Sequence, residues 1–105
     1  MSKGLGNILR QAQQMQKKVK EAQEALEALT FEGESQGKVR ATVSGGLILK
    51  SLSIDKEIVD PEDIGMLEDI IVLAVNDAVA KAKEAKEKEM GRLAGGSGFN
   101  MPDLF

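Results

Sequence analysis

Five cations, Lys3, Arg10, Lys17, Lys18 and Lys20, stand within the first 20 residues of this chain, and that stretch holds no Asp or Glu. Guanidinium and ammonium groups gathered this way suit charge-assisted binding of an anionic polymer, which needs no proton transfer and no covalent intermediate. The sign then reverses: Glu21, Glu24, Glu27, Glu32 and Glu34 follow with no base among them. A formal net charge of -3 therefore hides a basic segment followed by an acidic one. With screening over about 8 Å at physiological salt, a phosphate near Lys17 feels its neighbouring cations far more than carboxylates about 20 to 30 Å away. The same pattern also describes a solvated helix face that serves solubility, and composition alone does not separate the two.

Other chemistry has little to work with. The 105 residues include no Cys and no His, which removes the usual zinc ligands, the usual nucleophile with its base, and the side chain that titrates near neutrality. Glu68 and Asp69 are adjacent on an expected helix and point in different directions, so they form no acid/base pair. No phosphate-binding loop of the Gly-x-x-x-x-Gly-Lys-Ser/Thr type occurs, and Gly4-Leu5-Gly6 does not extend to a dinucleotide fingerprint. Asp60 and Asp63 could hold a divalent cation, but helix capping accounts for them more simply. The chain is read as no enzyme, with no cofactor, no metal and no small-molecule substrate.

The elements that must position the cations follow from periodicity. Leu5, Ile8, Ala12, Met15, Val19, Ala22, Leu26 and Leu29 recur at spacings of 3 and 4 with no Gly or Pro between them after Gly6, a sustained seven-residue repeat and hence a long amphipathic helix. Counted from Leu5, residues Lys3, Arg10 and Lys17 fall opposite the apolar seam. Val39, Ala41 and Val43 alternate with polar residues as a half-buried strand does, Gly45-Gly46 reads as a two-residue hairpin turn, and Leu47 to Ile54 as the return strand. That register sets Val43 opposite Ile48 and Val39 opposite Leu52, and Lys50 then needs a bulge near Lys50-Ser51. Phe31 to Glu34 supplies a third strand at one edge. Asp60-Pro61-Glu62-Asp63 reads as a helix start, with Gly65 delaying the durable helix to Met66; apolar residues then recur at helical spacing as far as Met90. Residues 1-94 form one α+β domain, and residues 95-105 a Gly-rich tail that composition predicts to be flexible. Phe99, Met101, Leu104 and Phe105 give that tail the means to dock on a partner.

About 25 residues of helix span roughly 37 Å, whereas a hairpin of this length covers about 25 Å. The helices overhang their sheet and leave Leu5, Ile8, Ala12 and Met15 in need of cover, which a second copy supplies as a homodimer interface. The alternative is that the two helices cover each other. The longest apolar run, Ile70 to Val75, falls far short of the approximately 20 residues that cross a bilayer, and the N-terminal residues lack a signal peptide's apolar segment, so no membrane partner and a cytoplasmic location are expected. In the second helix Lys81, Lys83, Lys86, Lys88 and Arg92 mix with Glu84, Glu87 and Glu89 as on a salt-bridged surface. No zinc-finger spacing or short recognition helix marks base readout.

Taken together, these segments make the chain similar to a known family, the small YbaB/EbfC-type nucleoid-associated proteins. The likeness rests on residues 6 to 16 (Gly6-Asn7-Ile8-Leu9-Arg10-Gln11-Ala12-Gln13-Gln14-Met15-Gln16), Phe31-Glu32-Gly33-Glu34-Ser35, and Val39 to Val43 before Gly45. Ile54-Asp55, Met66-Leu67-Glu68-Asp69-Ile70, Ala74, Asn76-Asp77-Ala78, Met90-Gly91, Met101-Pro102 and Phe105 continue it. The resemblance implies an α-β-β-β-α fold in two layers with a small three-stranded antiparallel sheet, and long terminal helices that protrude from a tweezer-like homodimer. It further implies binding of double-stranded DNA in the nucleoid with little sequence preference, through those helices. On this reading Arg10, Lys17 and Lys18 contact phosphates, with Lys3, Lys20, Lys81, Lys88 and Arg92 as further candidates. The rival reading is a protein-interaction adaptor or chaperone-like dimer that does not touch DNA.

Overall fold

A computed structural model describes the backbone of residues 2–96 and the side chains of residues 4–94. Helix α1 runs Ser2–Ala28, strands β1, β2 and β3 run Thr30–Ser35, Val39–Ser44 and Leu49–Ile54, and helix α2 runs Ile64–Gly96. The order α-β-β-β-α is the one the resemblance implies. The three strands form one antiparallel sheet in the order β1-β2-β3, so each strand pairs with its chain neighbour and β1 and β3 are the two edges.

The core lies between the sheet and α2. Val39, Ala41 and Val43 point from β2 toward Ile70, Ala74, Ala78 and Ala82, all buried. The four helix residues are spaced by four, one stripe of an α-helix, and three of them are Ala. Such a stripe lets the helix axis approach the sheet closely, and Gly33 on β1 completes the fit: a Cβ there would stand 2.2 Å from the Ala78 nitrogen and 2.3 Å from the Ala74 oxygen. Two bonds clamp the same flank. The Glu34 N–H donates to Asp77 Oδ2 at 3.1 Å, and Lys81 Nζ donates to the Glu32 carbonyl at 3.0 Å.

Helix α2 lies over β1 and β2 and leaves β3 uncovered, while α1 meets α2 beyond the sheet. The helices, 27 and 33 residues long, measure about 40 and 50 Å at 1.5 Å per residue. The overhang expected from their lengths is realised: the molecule extends 74 × 24 × 17 Å with a radius of gyration of 20.1 Å, against about 13 Å for a compact domain of this size.

The hairpin differs from its sequence reading. The turn holds three residues, Gly45, Gly46 and Leu47, closed by Ser44 N–H to the Ile48 carbonyl at 2.9 Å and Leu47 N–H to the Ser44 carbonyl at 2.9 Å. Leu47 takes the left-handed conformation, φ +64°, the place such a loop usually gives to Gly. The longer turn moves the register, pairing Val43 with Leu49, Ala41 with Leu52 and Val39 with Ile54, and Lys50 is the extra residue at a bulge. The bulge expected there is present, and it puts Leu49, Leu52 and Ile54 on the core side together. Packing explains the choice of turn: a Cβ at Gly45 would stand 1.9 Å from the Leu26 oxygen, so the loop is pressed against the end of α1, where Gly45 N–H also donates to the Leu29 carbonyl.

The second helix also differs at both ends. Asp60 Oδ1 accepts from Glu62 N–H and the Asp60 carbonyl accepts from Asp63 N–H at 2.9 Å each, which closes a turn around Pro61 and starts no helix. The cap is Asp63, whose Oδ1 accepts from Met66 N–H at 3.3 Å, and α2 begins at Ile64, two residues before Met66. A short 3-10 turn, Lys56–Ile58, which the sequence reading lacks, is capped by Asp55. At the other end α2 passes Met90 and Gly91 and continues to Gly96; from residue 97 onward the expected tail lies outside the described residues.

Candidate nucleic-acid interface

Helix α1 presents its charges as the heptad count predicts. Leu26 is buried at its base, Val19, Ala22 and Met15 are half-buried, and Arg10, Lys17, Lys18 and Lys20 are exposed. Residues 10 to 20 span about 15 Å of helix, so four cations lie along one short rod. The Lys3 side chain is outside the described residues. The two helices run antiparallel: Leu26 shares a groove with Ala82, Lys86 and Met90, and Met15 and Ala22 share another with Glu89, Arg92 and Leu93. They form an arm that projects from the sheet, with the basic half of α1 toward its outer end.

Ion pairing sorts the candidates. Among the described residues Arg10, Lys17, Lys18 and Lys20 have no carboxylate within ion-pair distance, whereas each candidate on α2 has one. Lys81 Nζ lies 3.4 Å from Asp77 Oδ2 and is also committed to the Glu32 carbonyl. Lys88 Nζ lies 3.5 Å from Glu84 Oε1, the i,i+4 pair read from sequence. Arg92 donates to both carboxylate oxygens of Glu89, from Nε at 3.3 Å and from Nη2. That bond holds the Glu89 carboxyl below its usual range and raises Arg92. Pairs this exposed contribute about 0 to 1 kcal/mol to stability, but each cancels local charge that a phosphate would otherwise meet. The structure thus brings the α1 cations together as free charge and sets Lys81, Lys88 and Arg92 apart as neutralised. Lys83 and Lys86, which the sequence reading assigned to a salt-bridged surface, are exposed and lack an ion pair among the described residues. Spacing alone gave no signal of this, because Lys83 and Glu87 stand four apart and Lys86 and Glu89 three apart, as paired residues on a helix do.

The expected interface residues Leu5, Ile8 and Ala12 are exposed on the outer arm, and Met15 is partly covered where α2 reaches it. A second apolar surface lies at the sheet edge. Asp77 and Lys81 face β1, which puts Ile71, Val75 and Val79 on the flank of α2 toward β3; beside them Leu49 and Leu52 remain 48% and 40% exposed. No group of three or more metal-binding side chains occurs among the described residues, and no described helix is long and apolar enough to cross a membrane.

These features define a class: a small antiparallel sheet roofed by one helix, with a projecting helical arm that carries a run of unpaired positive charge. Comparison with known sequences makes the class particular. The chain belongs to the YbaB/EbfC DNA-binding family, whose pattern matches residues 1–97. It is 43% identical to the nucleoid-associated protein TTE0040 of Caldanaerobacter subterraneus subsp. tengcongensis, over 96% of this chain and 90% of that one. It is 41% identical to a nucleoid-associated protein of Enterococcus faecalis, over 91% of this chain and 96% of the relative. The nucleoid-associated protein amb4104 of Paramagnetospirillum magneticum is 43% identical over 98% and 95% of the two chains.

Proposed function

We propose that this chain is a non-enzymatic nucleoid-associated protein that binds double-stranded DNA as a homodimer with little sequence preference. The observation that carries the reading is the set of four exposed cations on the arm, Arg10, Lys17, Lys18 and Lys20, that no described carboxylate neutralises. Cations of this kind bind phosphate oxygens, which position a protein on a duplex without reading its bases. The acidic half of α1, with Glu21, Glu24 and Glu27 exposed, repels phosphates from the base of the arm and directs the duplex to its outer half.

The homodimer is proposed through the β3 edge, where exposed Leu49 and Leu52 adjoin a strand with an unpaired outer side. Two such edges meeting about a two-fold axis bury apolar area on both copies and satisfy the strand's free N–H and C=O groups. Sedimentation distinguishes this from an interface through the arm: Leu52→Glu yields monomer and Ile8→Glu leaves the dimer intact, and the reverse result places the interface on the arm residues.

The test of function is fluorescence anisotropy of a labelled random-sequence duplex at 50 and 200 mM salt. A dimer that sets eight α1 cations against phosphates loses at least about a thousandfold in affinity across that range. A folded protein that fails to bind at 50 mM refutes DNA binding and favours the protein-interaction reading.

A further inference from the structure

The outer part of α1 carries an apolar stripe with no described partner. Leu5, Ile8 and Leu9 are 60%, 62% and 55% exposed, and Ala12 lies between them and the covered part of the seam. The stripe opens where α2 stops. Leu93 is level with Met15 and the helices are antiparallel, so Gly96 reaches about the level of Ala12 at 1.5 Å per residue. The chain that follows, Ser97 to Phe105, contains Phe99, Met101, Leu104 and Phe105, and its only charged side chain is Asp103.

We propose that residues 97–105 dock along the exposed α1 stripe of their own arm, covering Leu5, Ile8, Leu9 and Ala12 with Phe99, Met101, Leu104 and Phe105. Two observations support this occupant. The stripe lies straight ahead of α2, so the chain reaches it with no reversal of direction. Nine residues extend up to about 30 Å, while Leu5 to Met15 spans about 15 Å of helix, so reach is ample even for an irregular path around Gly98 and Pro102. Charge does not oppose it, because a segment bearing one acid and no base approaches the basic half of α1 without like-charge repulsion. Arg10 and Lys17 lie across the helix from the stripe, so the docked segment closes the apolar side of the arm and leaves its cations to the solvent. The inference does not depend on DNA binding.

Disulfide trapping in the full chain tests it, and the lack of native Cys makes the experiment clean. Two double variants are compared under oxidised glutathione, Ile8→Cys with Met101→Cys and Arg10→Cys with Met101→Cys. The second thiol on α1 differs by about 200° around the helix. A docked segment gives a crosslink at least about tenfold faster from position 8 than from position 10, above the effective concentration of a freely tethered end. Equal rates overturn the proposal. Mixing isotopically light and heavy chains before oxidation identifies whose segment is trapped: crosslinks within one chain support the proposal, and crosslinks only between chains overturn it in favour of a second copy. A second pair, Leu5→Cys with Leu104→Cys, serves if the first loses its helical circular dichroism.

Discussion

Gly33→Ala examines the contact on which the arm depends. The added Cβ would stand 2.2 Å from the Ala78 nitrogen and 2.3 Å from the Ala74 oxygen, both backbone atoms of α2, so no side-chain rotation relieves the clash. The helix must withdraw by about 1 Å to reach a tolerable separation, a gap that forfeits a quarter to a half of each dispersion contact it opens. The loss falls on the whole Ala74, Ala78 and Ala82 stripe against Val39, Ala41 and Val43, and it stretches the bonds from Glu34 to Asp77 and from Lys81 to Glu32. Overpacking of a tight core costs about 1 to 3 kcal/mol and occasionally more. With two backbone atoms in the way, about 3 kcal/mol or above is expected here. The chain has no Trp or Tyr, so urea unfolding is followed by far-ultraviolet circular dichroism, with the midpoint shift converted through the slope. Ala78→Gly removes a methyl and leaves the obstructing nitrogen in place, so it does not rescue the variant. A loss below about 0.5 kcal/mol for Gly33→Ala, within the range of an inert substitution, refutes the argument that helix and strand meet backbone to backbone.

Changing Arg10, Lys17 and Lys18 together to Gln removes three free cations per protomer and is expected to flatten the slope of log affinity against log salt by up to about 2.7 per protomer; the paired cations changed instead, Lys88 and Arg92 to Gln, move it less. An unchanged slope in the triple variant, measured by anisotropy, removes α1 from the interface. Asp77 is held below its usual carboxylate range, first by the Glu34 N–H and then by Lys81. A depressed folded pKa means that its stabilisation is fully present above the unfolded value of about 3.9 and is lost as pH falls through the folded value. Asp77→Ala should therefore lower the urea midpoint at pH 7 and weaken its decline on acidification below about pH 4, the remainder belonging to Asp55 and Glu89. A pH profile parallel to the parent's contradicts this. Leu47 holds φ +64° with its side chain about half in solvent, so Leu47→Gly is expected to raise stability by about 0.5 to 1 kcal/mol, the relief of left-handed strain exceeding glycine's entropy cost. A lower midpoint would show that the Leu47 side chain supports the hairpin tip.

What local pattern dictates was legible in the residues. The seven-residue repeat from Leu5 defines α1, the alternation of Val39, Ala41 and Val43 defines β2, and the separation of five cations from three acids along one helix marks the arm as the charged element. These are properties of neighbours within one or two turns, and periods of 3.6 and 2 express them directly. Tertiary structure decided everything that depends on which surfaces meet. The β2–β3 register follows from a three-residue turn pressed on Leu26, so Val43 meets Leu49 rather than Ile48. Gly33 and the Ala stripe bring α2 against β1, a role no local pattern assigns to a single Gly. Pairing to Asp77, Glu84 and Glu89 separates Lys81, Lys88 and Arg92 from the free cations of α1, because a charge is available to a ligand only when no folded neighbour already answers it. Sequence periodicity specifies the face an element offers, and only the packed fold decides what that face meets.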